Sequence, residues 1–189
     1  MPLFPLPRAN ELARAYYQEA ARHLEDAWIL HQAQRYAGSI TSSMKAVELG
    51  VKSVLILNGA SGWLDDILRT HDILKGIEGH PNITLSFLDA LGRHDSTLQS
   101  DIKLLEALVP VKQDVKKLEY EVAANTEYPF FAFKSGSPPS ASLQLYAPGS
   151  HFVSSDSEKH FRTARRLLEA LKKLEPEIKR WKVPLCADV

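Results

Sequence analysis

Two consecutive amphipathic helical patterns, joined by a very short turn, constrain this chain more than anything else in it. From Asn10, a plausible N-cap, the residues Leu12, Tyr16, Ala20, Leu24, Ala27 and His31 recur at spacings of three and four, the stripe of a long core-facing helix. Glu11, Arg14, Gln18, Arg22 and Asp26 occupy the opposite face. After Arg35-Tyr36-Ala37-Gly38 a second helix is expected from about Ala37 to Leu57, with Ile40, Met44, Val47, Val51, Val54 and Leu55 as its apolar face and Asn58-Gly59 as its stop. So short a linker forces the two helices antiparallel. Beside the second apolar face runs a seam of small residues, Ser39, Ser43, Ala46 and Gly50, which admits close approach of another helix from the same chain or from a second copy.

Downstream, Trp63 to Arg69 reads as helical, Thr70 or Asp72 can cap a segment through Glu78, and Gly79-His80-Pro81-Asn82 ends it. Thr84 to Leu91 reads as a further helix. Ser96-Thr97-Leu98-Gln99 has the capping-box pattern and opens a segment carrying Ile102, Leu105 and Leu108, while Pro110 kinks it or starts the next, which reaches about Ala124. No strand pattern of useful length stands out, although Ser142 to Tyr146 can be extended. Residues 134–155 differ in composition: 12 of these 22 are Ser, Gly or Pro and Lys134 is the only charged one, so a long loop or lid is expected. Ser155-Asp156-Ser157-Glu158 then offers a capping box for the last helix, with Phe161, Ala164, Leu168, Leu171 and Leu174 inward and Pro176 bending or dividing it.

With 189 residues, 44% hydrophobic and 24% charged, the chain can bury one substantial core and is short for two. The organisation expected is an extended arm over residues 1–9, one helical domain over 10–182 and a tail over 183–189. Lys+Arg and Asp+Glu number 23 each, which excludes a global field for polyanions and requires any nucleic-acid site to be a local patch. Met1 to Pro7 alternates apolar residues with prolines and lacks the basic and continuous apolar regions of a signal peptide. No run approaches the ~18 apolar residues of a membrane span. The single Cys186 excludes an intrachain disulfide and makes a cytoplasmic location the simplest reading.

Tyr16-Tyr17, Leu24-Glu25-Asp26-Ala27, Tyr36, Ala46-Val47-Glu48, Lys52, Gly59 and Thr70-His71-Asp72, in that order, resemble the first helical hairpin of the HEPN family, small helical domains of nucleotide and RNA biology. Asn125-Thr126-Glu127-Tyr128-Pro129 is similar to a later Thr-Arg-Tyr-Pro element of that family, with Glu127 where Arg is usual. The resemblance implies an all-α antiparallel bundle of five or six helices with the 134–155 loop before the last. It also implies a homodimer and a nucleotide-binding or interaction module, non-catalytic and toxin–antitoxin-like, working beside a minimal nucleotidyltransferase. A phosphate-bearing ligand would then contact Lys52 as a point charge, His71 as a donor and Tyr128 as a stacking surface. The nuclease branch of the family carries an Arg followed by His after four to six residues, and this chain has no such pair; His160 preceding Arg165 is an inverted arrangement. A metal-independent ribonuclease is therefore an alternative that needs a composite site built across a dimer, with His moving the proton of a ribose 2′-hydroxyl and Arg stabilising the developing charge.

A second alternative is a metal-dependent phosphohydrolase of the HD type, for which His71, His94-Asp95 and Asp101 or Asp114 could supply ligands. Capping and turn roles explain the same residues without metal, so neither metal nor cofactor is expected. Lys45, Glu48 and Lys52 are expected to pair on a helix surface. Tyr128, Phe130, Phe131 and Phe133 read as a plug at the end of a core, and Arg162, Arg165 and Arg166 with Glu158 and Glu169 read as a solvated helix face. Phosphate-loop glycines, zinc-spaced cysteines and a nucleophile elbow are all missing from the sequence.

Overall fold

Helix α1 (Leu6–Gln32) and helix α2 (Tyr36–Leu57) form the antiparallel hairpin that the sequence predicts. The computed structural model describes residues 6–57, 90–98, 100, 130–133, 143–146, 149 and 152–186. Helix α1 begins four residues before Asn10, and Pro7 is accommodated in the first turn, where a missing N–H breaks no helical bond. Asn10 does not act as an N-cap; its side-chain amide donates to Glu177 across the bundle at 3.4 Å.

The buried stripe of α1 is Ala13, Tyr17, Ala20, Leu24 and Ala27, so the stripe is rotated from the expected one at its N-terminal end, where Tyr17 replaces Tyr16. Both tyrosines fit a spacing of three to four from Ala20, which is why periodicity alone does not choose between them. The choice is made by the last helix: the Tyr17 hydroxyl donates to the Leu168 carbonyl at 3.0 Å, and burial, with Glu169 nearby, pushes its phenol far above the usual range.

The turn is Ala33-Gln34-Arg35. Gln34 takes φ 58°, and the Arg35 N–H donates to the Leu30 carbonyl at 2.8 Å, closing the helix end in the left-handed geometry usually given to glycine. Hydroxyls then fasten the hairpin at both ends. Ser39 donates to the Ala27 carbonyl at 2.7 Å, and Ser53 donates to the Ala13 carbonyl at 2.8 Å. Each such bond contributes about 1 kcal/mol.

Helix α3 (Ser154–Leu174) lies across this hairpin, burying Phe161, Ala164, Leu167, Leu168 and Leu171. Leu174, expected inside, is 37% exposed because the helix ends there, and Pro176 opens the short helix α4 (Pro176–Arg180). The small-residue seam is filled within the chain. A Cβ on Gly50 would stand 2.5 Å from Leu168 Cδ2 and 3.2 Å from Leu171 Cδ1, so α2 and α3 meet where only glycine fits. The cap of α3 is also shifted. Val153 is the N-cap residue, and Asp156 accepts its N–H at 3.1 Å, while Ser157 turns inward.

Residues 90–94 are helical, and Leu91 and Leu98 enter the core. The turn after them is capped by Asp95 instead of Ser96: its Oδ1 accepts from the Thr97 N–H at 3.1 Å and from the Thr97 hydroxyl at 2.9 Å. Part of the expected loop pairs as a ribbon, strand β1 (Phe130–Phe133) running antiparallel to strand β2 (Leu143–Tyr146) with Phe130 opposite Tyr146. Four-residue strands are too short to show a period, and pairing across residues 134–142 leaves no local signal. Val183 is buried, and Leu185 and Cys186 pack against the same core, so the segment read as a tail lies along the bundle as far as Cys186. No helix among the described residues is long and apolar enough to cross a membrane.

Candidate functional site

Two groups of charged side chains stand out among the described residues, and their surroundings are opposite. On α2, Lys45, Glu48 and Lys52 pair as their spacing predicts, but not on a surface. Glu48 and Lys52 are 7% and 5% exposed, with Lys52 Nζ 2.6 Å from Glu48 Oε1 and Lys45 Nζ 3.1 Å from Oε2. The spacing rule sees only the helix itself, whereas burial is set by what packs over it. Burial alone would raise the Glu48 carboxyl, but the two ammonium groups outweigh it and its pKa is lowered. Tyr16 is raised by burial and by the Glu48 charge.

The second group borders a cleft of about 420 Å³ between the C-terminal end of α1 and the outer face of α3, lined by Trp28, His31, Phe161, three arginines and two glutamates. Arg162, Arg165 and Arg166 are the arginines. Glu158 pairs with Arg162, and Arg165 Nε donates to Glu169 at 3.1 Å, each within one turn of α3. Arg166 reaches off its helix. Its Nε donates to Asp95 Oδ2 at 3.1 Å, a second N–H donates to the same oxygen, and Nη2 donates to the Thr97 hydroxyl at 2.6 Å. Those bonds from Arg166 and Thr97 hold the Asp95 carboxyl at about 2. A neighbouring hollow of about 580 Å³, lined by Ser155, Lys159 and Thr163, shares Glu158, Arg162 and Arg166 with the cleft.

His31 is fixed by its surroundings on α1, α2 and α3. Its ring stacks on Trp28 with centroids 5.3 Å apart and planes 15° apart, and Trp28 in turn meets Phe161 at 5.2 Å. Tyr36 packs tilted against it at 5.8 Å. His31 Nδ1 lies 3.0 Å from Ser157 Oγ, and the Ser157 hydroxyl donates to Ser39 Oγ at 2.8 Å. The chain of hydroxyls therefore runs from the cleft wall to the Ala27 carbonyl.

Of the residues expected at a ligand site, Lys52 is the buried partner of Glu48, and His71 and Tyr128 lie outside the described residues. Lys52 is roughly 20 Å along α2 from Ser39 at 1.5 Å per residue, well away from the His31 cleft. His160 does not join Arg165: it is half-buried, bonded at Nδ1 to the Asp156 carbonyl, and burial lowers its pKa. Asp95 is engaged by Arg166, while His71, Asp101 and Asp114 lie outside the described residues. Among the described residues no group of three His, Cys, Asp or Glu side chains converges for a metal.

Sequence reasoning reached the arginines of α3 but read them as a solvated face, and it placed His31 in the core stripe. Helical spacing put His31 on the α3-facing side of α1, and the inward Ser157 was the signal that could have joined them. The HEPN domain family model matches residues 13–174. No curated protein and no solved structure matches the chain.

Proposed function

The chain belongs to the HEPN domain family, and we propose that it is a nucleotide-binding module whose site is the α1–α3 cleft. The observation that carries this reading is the gathering of Arg162, Arg165 and Arg166 around a cleft whose opposite wall is the Trp28–His31 stack. Guanidinium groups match phosphate geometry through paired N–H donors, and a flat aromatic wall suits a base or sugar. The carboxylate partner of Arg162 does not block such a ligand. The Arg162–Glu158 pair is 68% and 44% exposed, and exposed pairs of this kind contribute about 0–1 kcal/mol, so a doubly charged phosphate exchanges with them at small cost.

In this reading the module binds and does no chemistry of its own, in keeping with a sequence that lacks the Arg-to-His spacing of the nuclease branch. It works as a homodimer beside a nucleotidyltransferase partner, in a toxin–antitoxin-like pair. Because the small-residue seam is filled by α3, the dimer uses another surface. Light scattering of the purified chain should give about twice 21.1 kDa. Calorimetry with 5′-AMP is the test of the site: binding that weakens about tenfold in Arg165→Ala supports it, and unchanged affinity removes the cleft.

One observation favours a second reading. His31, Arg162 and Arg165, far apart in sequence, line one cleft within a single chain, which gives a metal-independent ribonuclease its His and Arg without a second subunit. Cleavage of a labelled RNA in the presence of chelator, lost in His31→Ala, would establish that activity over simple binding.

A further inference from the structure

The hydrogen-bond chain behind His31 determines which of its ring nitrogens carries the proton. A backbone carbonyl only accepts, so the hydrogen of Ser39 is committed to Ala27. Ser39 Oγ then accepts the hydrogen of Ser157, which leaves Ser157 Oγ as an acceptor toward His31. Nδ1 of His31 must therefore be the N–H. In the neutral ring Nε2 is then an acceptor, and since Nδ1 faces the buried serines, the Nε2 edge is the one turned to the cleft that His31 lines. Stacking between Trp28 and the tilted Tyr36 holds the ring in that plane.

We infer that His31 reads a hydroxyl on the ligand: the cleft takes a ribose phosphate, with a sugar hydroxyl donating to His31 Nε2 and the phosphate held by the arginines of α3. An acceptor beside these guanidinium groups is of no use to the dianion of a phosphate monoester, which offers only acceptors. It suits a molecule that carries an anion at one end and an O–H a few ångströms away. Ser157 and Ser39 are positioning residues here, because they touch the ring and not the ligand. The inference rests on the cleft being the ligand site, and it adds the part of the ligand that the cleft distinguishes.

The test is run on the full chain at pH 8 with four probes: AMP, 2′,3′-dideoxy-AMP, ribose 5-phosphate and inorganic phosphate. AMP should bind roughly threefold to tenfold more tightly than its dideoxy analogue, the range that one hydrogen bond supplies, while ribose 5-phosphate and inorganic phosphate report what the base and the sugar add. His31→Phe should remove that discrimination, and His31→Gln, which keeps an acceptor at a similar reach, should restore part of it. Nitrogen-15 NMR supplies a readout independent of ligand: His31 should show a protonated Nδ1, and Ser157→Ala should shift the ring toward the other tautomer and reduce the discrimination. Equal binding of AMP and its dideoxy analogue, or a wild-type ring protonated at Nε2, overturns the inference while leaving the cleft intact. Failure of all four probes to bind, or binding indifferent to Arg165→Ala, overturns the site itself.

Discussion

The Lys45–Glu48–Lys52 cluster on α2 and the arginine pairs on α3 use the same kinds of charged group at the same helical spacings, yet they do different physical work. The first is closed off from water, with both members of the 2.6 Å pair under 10% exposed. The second opens on a cleft, with the Arg166–Asp95 pair 39% and 26% exposed. In the first, taking away one partner costs a charge pair that water does not reach to replace; in the second, water or a ligand takes its place. The comparison teaches that an ion pair is a candidate binding group when its partner can be exchanged, and a structural group when it cannot. Neither sequence spacing nor residue type carries that distinction.

The largest effect should come from breaking the closed cluster. Lys52→Ala should cost about 3–5 kcal/mol in urea denaturation, because it breaks a buried 2.6 Å pair that the more exposed Lys45 does not replace. A loss below about 1 kcal/mol for Lys52→Ala would place this pair in the same class as the surface ones. Next in size is the packing beneath it: Gly50→Ala should destabilise by about 1–3 kcal/mol, because its new Cβ meets Leu168 at 2.5 Å. A Gly50→Ala protein of normal stability that lost only its self-association would move the seam to a subunit interface.

On the open side, Arg166→Ala should change stability by less than about 1 kcal/mol and weaken AMP binding about tenfold, as loss of a charge-assisted bond to phosphate does. Calorimetry and denaturation on one preparation separate the two. The smallest effect is in pH. Because the folded Asp95 carboxyl sits at about 2, below its ordinary 3.8, its contribution to stability is fully present above pH 4 and disappears as pH falls from there through 2. Solvent screening keeps that contribution small, so the check is the titration midpoint by NMR, which Arg166→Ala should return toward 3.8.

What the sequence disclosed, and what it withheld, follows the range of the interactions. The hairpin was legible because α1 and α2 each bury one face, and a period near 3.6 survives in any window of the chain. Even there Tyr16 and Tyr17 were exchanged, since the choice belongs to the Leu168 carbonyl on another helix. The cleft was not legible, because its two walls, at Trp28–His31 and Glu158–Glu169, are joined only by tertiary packing. Ser157 shows the difficulty most clearly: it lay inside the Ser155 to Glu158 capping-box pattern with no role of its own, whereas the helix begins earlier and turns it onto Ser39 and His31. Of the ribbon, the extended piece at β2 was legible and its pairing with β1 was not, for the same reason at shorter length.

The central claim, that the exchangeable charges form the binding site and the buried ones do not, is tested most directly by amide and side-chain NMR of the full chain titrated with AMP. The account predicts shifts concentrated at Trp28, His31, Arg162, Arg165 and Arg166, with the Tyr16, Glu48 and Lys52 signals unmoved. Shifts centred on Lys52 and Tyr16, with the cleft silent, would contradict it.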